Sequence, residues 1–215
     1  TSISQAPNGQ GGSIYVNGVY TIIENSNLAI SHSGLEGGAI YIKGDNSKVI
    51  NSTIARTSSD TYGGAVYIDA KYASIEDSHF TMNNVTGTLN NNKGAGGAIY
   101  IKGINAAVKN STFNLTFARV SPTSYIANNL GGAIFNEGNN AEIIGSNFTN
   151  SAAYQGGILY LKGHYCNVYN SSLDNGYSNH DGGAFYSTGE HCNVYDSNFT
   201  NNVAKSDGGA LFWNA

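Results

Sequence analysis

Two cysteines are the most reactive side chains in this chain, and their placement is regular. Cys166 and Cys192 each stand five residues before a serine, Ser171 and Ser197. At the same offset before other serines stand Thr21, Ser47, Ala73, Ala106 and Ala141. That column takes a small, inward residue, so the cysteines are expected as stacked, buried thiols. A disulfide is the alternative, strained between in-register parallel strands. His164 and His191 lie close in sequence, and imidazole with thiolate is zinc chemistry. Strand alternation turns the histidines away from the cysteines, so no metal site is assigned.

Polysaccharide cleavage would need clustered carboxylates, as an acid/base pair or as calcium ligands, or an arginine or lysine base. Asp181 and Asp207 occupy one column, each just before a double glycine, and Arg56 and Arg119 are the only arginines. Two stacked carboxylates could share a proton or recruit a cation. An ordinary exposed turn is the expected reading, and neither catalytic residues nor a cofactor are assigned. Charged residues make up 11% of the chain and the net charge is −4. No basic stripe replaces phosphate counterions, which excludes nucleic acid as a partner. No apolar run is long enough to span a membrane.

Seven Asn-x-Ser/Thr sequons occur, at Asn51, Asn84, Asn110, Asn114, Asn147, Asn170 and Asn198. In so Asn-, Ser- and Thr-rich a chain, chance supplies about five such sequons. Asn84, read as part of an insertion, is the expected first acceptor.

What positions all of these residues is a repeat. A double glycine followed by a small residue, an aliphatic and an aromatic starts at Gly11, Gly37, Gly63, Gly96, Gly131, Gly156, Gly182 and Gly208. Fourteen residues after each second glycine of the seven complete repeats stands a serine: Ser26, Ser52, Ser78, Ser111, Ser146, Ser171, Ser197. A fixed period near 25 residues means stacked units, none able to bury its apolar face alone. The two prolines, Pro7 and Pro122, avoid the repeat interiors, as paired strands require. The expected fold is all-β: a right-handed parallel β-helix of about eight coils, one solenoid over residues 1–215. The chain reads as a piece of a longer surface protein.

Two apolar columns should form the core. One is Ile23, Val49, Ile75, Val108, Ile143, Val168 and Val194; the other is Leu28, Ile54, Phe80, Phe113, Phe148, Leu173 and Phe199. In the strand after the double glycine, the aliphatic residue is expected inward and the aromatic outward. The opposite phase, with alanine and tyrosine inward, is the alternative. If outward, Tyr41, Tyr67 and Tyr100 would present an aromatic strip that could bind sugar, although aromatic ladders also stabilise stacked strands by themselves. Lys43, Asp69, Lys102, Glu137 and Lys162 alternate in sign, which would pin the register.

Only the return after the serine changes length. To the second glycine of the next pair it takes 11 or 12 residues in five repeats, but 19 in the third and 21 in the fourth. The insertions, taken as roughly 82–94 and 115–128, should protrude side by side. Asn84, Thr86, Leu89, Arg119 and Tyr125 are the expected contact residues, because recognition is usually placed in loops on a rigid scaffold.

The GGAIYI wording, the NSTF wording and the Phe-x-x-Asn at Phe80–Asn83 and Phe199–Asn202 resemble the adhesin-like β-helix proteins of methanogenic archaea. They also resemble the repeats of chlamydial polymorphic outer-membrane proteins. The second motif departs to Thr116 after Phe113 and to Ser151 after Phe148. The resemblance implies a right-handed coil, display on the cell surface and a non-catalytic adhesive role towards a surface glycan or a partner-cell protein. A structural fibre or spacer unit associating end to end is the first alternative. A polysaccharide-active enzyme is the second.

Overall fold

The computed structural model describes residues 4–86, 94–119 and 129–214. Among them there is no helix, and every pairing is parallel. A coil has four short strands, as in Ile40–Ile42, Lys48–Ile50, Thr53–Ala55 and Ser58–Ser59. We call their faces first to fourth in that order. Coil-to-coil pairing extends the first and fourth faces into eight-stranded sheets and the second and third into seven-stranded ones. This is a right-handed parallel β-helix.

The corners explain the repeat. Between the second and third faces the chain turns through one left-handed residue: Asn25, Asn51, Asp77, Asn110, Gly145, Asn170 or Asp196, with φ between 44° and 57°. Asn, Asp and Gly tolerate that conformation best. The double glycine makes the return corner. Gly37 has φ 67°, and a Cβ on Gly38 would lie 2.1 Å from the Gly64 carbonyl oxygen. No other residue fits both positions.

The serine column lies inside the second corner. Each serine hydroxyl donates to the carbonyl two residues back, as Ser78 Oγ does to Glu76 O at 2.8 Å. It also accepts the N–H of the preceding coil's serine: Ser52 to Ser78, Ser78 to Ser111 and Ser111 to Ser146, at 3.1–3.2 Å. One hydroxyl thus satisfies a buried N–H that the turn would otherwise leave unpaired and gives a second donor to a carbonyl that already accepts a corner N–H, as Glu76 O does from Asn51 at 3.1 Å.

Both apolar columns are core. Phe80, Phe113 and Phe148 are at most 1% exposed, with centroids 4.8 and 4.6 Å apart. Ile40, Val66, Ile99 and Ile134 join the same core, so the aliphatic residue of the first face does point inward. The aromatics beside them point the other way but are not exposed. Tyr41, Tyr67 and Tyr100 are only 5%, 6% and 5% exposed and form a second cluster with Ala95, Phe135, Tyr160 and Tyr186. Tyr62 and Leu130 pack against this cluster from the return segment. The exposed strip expected from alternation is therefore covered, because residues just before the double glycine fold back over it. The charge column behaves as expected: Lys102 Nζ lies 2.9 Å from Asp69 and Lys162 Nζ 3.6 Å from Glu137.

Candidate functional site

The fourth-to-first corner carries the insertions, and the register of its flanks locates them. Asn84–Val85 pairs with Ser58–Ser59 on one side and with Phe117–Ala118 on the other. The Thr86 N–H donates to Ser59 O at 3.0 Å and the Arg119 N–H to Val85 O at 3.1 Å. Beyond the insertions, Gly94 and Ala95 pair with Asn129 and Leu130, and Tyr62 bridges to Ala95. The extra residues are therefore 87–93 and 120–128. Residues from Met82 to Thr86 and from Leu115 to Arg119 belong to the scaffold, a correction to the broader bounds.

The expected contact residues divide accordingly. Asn84 is half-buried in a strand, not in an insertion, and its Oδ1 is enclosed without a partner. Thr86 Oγ1 donates to the Asp60 carboxylate at 3.1 Å. The Arg119 guanidinium lies 3.7 Å over the Phe117 ring, a cation–π contact at the insertion base. Thr86 and Arg119 thus stand on neighbouring coils at the residues that precede the two insertions. Leu89 and Tyr125 lie outside the described residues. Phe117 and Tyr62 were not singled out from the sequence. A signal for Tyr62 existed, since the column before the double glycine changes from Glu36 to Tyr62, Ala95 and Leu130 and back to Gln155 and Asp181.

The aromatic ladder does not offer a ring face. Neighbouring centroids in Tyr41, Tyr67 and Tyr100 are 5.0 Å apart with interplanar angles of 14° and 15°. Rings that close are stacked face on face, whereas a sugar needs a free face. Burial, then the charges of Asp69 and Glu36, pushes the Tyr41 phenol up to about 12. Burial likewise raises Tyr67 and Tyr100, helped by Asp69 and Glu137 respectively.

The carboxylates and thiols have structural partners. Asp181 accepts from the Asp207 N–H at 3.2 Å and from Gln155 Nε2 at 3.2 Å, and His180 Nδ1 lies 2.7 Å away. Burial raises its pKa, but these donors outweigh burial and hold the carboxyl below its ordinary range. A general acid needs the opposite shift. Cys166 and Cys192 are free, buried and on adjacent coils, where the Asn193 N–H donates to Cys166 O at 2.9 Å. The Cys192 hydrogen bond, then burial, pushes the Cys166 thiol well up. His191 is exposed and stacks on Tyr165 at 4.9 Å. Among the described residues, no three His, Cys, Asp or Glu side chains are grouped to hold a metal ion. A depression of about 250 Å³ lies near the first corner, lined by Asp45, Asp69, Ala70, Lys71, Lys102, Gly103 and Ile104. Its Asp69 and Lys102 are already paired with each other.

Fold and site together define a repeat-built parallel β-helix with a modified return corner. The Chlamydia polymorphic membrane protein repeat model matches residues 196–212, from the last second-to-third corner through the final double glycine into the strand that follows it. No curated protein and no solved structure matches the chain. No helix among the described residues is long and apolar enough to cross a membrane.

Proposed function

We propose that this chain is a cell-surface solenoid that acts by attachment rather than catalysis, with its contact carried by the insertion-bearing corner. The supporting observation is the register at that corner. In two neighbouring coils of otherwise constant geometry the described strands end at Thr86 and Arg119 and resume side by side at Gly94 and Asn129, with seven and nine extra residues between them. A rigid rod with added length at one place on neighbouring coils suits recognition of a surface. The matched repeat and the resemblance to adhesin-like β-helices support surface display. The partner is a glycan or a protein on a facing cell.

The test removes residues 87–93 and 120–128, which shortens both returns to the 12 residues other coils use. Beads coated with the intact chain should adhere to a glycan array or to intact cells, and beads coated with the trimmed chain should not. The trimmed chain should keep its circular dichroism spectrum. Undiminished adhesion would remove the corner from the contact. If neither form adheres to anything, a spacer role is the better reading.

A further inference from the structure

The sequons are not scattered over the surface. Six of the seven asparagines are exposed. Asn51, Asn110 and Asn170 occupy the left-handed corner between the second and third faces. Asn114, Asn147 and Asn198 lie on strands of the third face, Thr112–Asn114, Asn147–Thr149 and Asn198–Thr200. The seventh, Asn84, lies on the fourth face with its Oδ1 enclosed. All six exposed acceptors thus lie on one edge strip of the rod, the second-to-third corner and the third face, whose far end is marked by Asn114. Around the coil the faces run first, second, third, fourth, so this strip does not reach the fourth-to-first corner that carries the insertions.

Their order along the rod is also regular. The corner column holds Asn51, Asp77, Asn110, Gly145, Asn170 and Asp196 on successive coils. Its sequons fall on alternate coils, about 10 Å apart at roughly 4.8 Å per rung. The next outward column supplies its sequons, Asn147 and Asn198, on the coils where the corner holds Gly145 and Asp196. Asn114 shares its coil with Asn110 at the far end of the strand and pairs with Thr149, so no two sequon asparagines stack directly. A left-handed corner tolerates Asn on every rung, and Asn25 and Asn51 do stack there, with the Asn51 amide donating to Asn25 Oδ1 at 2.7 Å. Backbone demand therefore does not impose the alternation. A pyranose ring needs more room than one rung, and the offset between the columns keeps any acceptor from lying directly above or below another.

We propose that this edge is a modification site, carrying Asn-linked glycans at Asn51, Asn110, Asn114, Asn147, Asn170 and Asn198, while Asn84 stays bare. The donor is a lipid-carried glycosyl phosphate. The asparagine Nδ2 attacks C1 of the sugar, the C1–O bond to phosphate breaks, and the phosphate leaves with the bonding pair. Nδ2 passes one proton to the departing lipid-linked phosphate and keeps the other, which at Asn51 can stay in the bond to Asn25. The product is a rod sheathed along this strip and bare at the insertion-bearing corner. The inference is independent of what that corner binds.

The full chain, secreted from a eukaryotic cell that has the Asn-glycosylation machinery, is digested and its glycopeptides are mapped by mass spectrometry. The expected result is glycan on peptides carrying the six exposed asparagines and none on the Asn84 peptide. Thr53→Ala should remove the Asn51 glycan with Asn51 itself unchanged, and Asn147→Gln should remove one glycan while the thermal midpoint stays put. Bare peptides along the corner and third face would overturn the proposal. So would a glycan on Asn84 in folded protein.

Discussion

The Ser52 N–H donates to Ser78 Oγ at 3.2 Å, across the gap between two coils. The same hydroxyl closes its own turn by donating to Glu76 O. Ser78 is fully buried, so neither bond has water as a substitute. Ser78→Ala should leave the buried Ser52 N–H without this partner, costing about 1–3 kcal/mol, while the Glu76 carbonyl keeps the Asn51 N–H at 3.1 Å. Guanidinium unfolding checks this through a lowered midpoint. A midpoint within error of the parent would mean that the ladder contributes nothing.

Phe113 is packed between Phe80 and Phe148 in the middle of the stack. Phe113→Ala should cost about 3–5 kcal/mol by opening a cavity there. The same measurement on Leu28→Ala should show less, because Leu28 is only partly buried near the end of the rod. Equal losses at the two positions would contradict the burial gradient.

The tyrosine ladder should make the fold sensitive to alkali. A phenol whose pKa is raised by folding binds its proton more tightly in the native state. Its contribution is complete below the unfolded value near 10 and is lost as pH rises through the native value, about 12 for Tyr41. The urea midpoint should therefore fall between pH 10 and 12. Tyr41→Phe should flatten that fall, and an equally steep fall in the variant would assign the alkaline loss to other groups.

The thiols should be silent until the rod opens. Cys166 is 1% exposed and Cys192 8%. A thiol-specific reagent should modify neither at a measurable rate in folded protein, and both in guanidinium without reductant. One thiol or none in guanidinium would show that the pair had oxidised.

The period, the columns and the fold class were legible in the sequence because a solenoid repeats one environment at every turn. Ile75 and Phe113 could be placed in the core by their spacing from a serine, and Cys166 could be set against Cys192 by the same count. The bounds of the insertions were not legible. Asn84 and Phe117 look like loop residues until the pairing of Ser58–Ser59 with Asn84–Val85 shows that the strand continues. Nor was the covering of Tyr67 and Tyr100, since alternation fixes which way a side chain points but not what lies beyond it. Tyr62 closes over them only because the return segment folds back against the first face, bringing its ring to 4.6 Å from that of Tyr100. Direction is a local property of the strand and is written in each repeat. Burial depends on segments far apart along the chain, and only the assembled coils decide it.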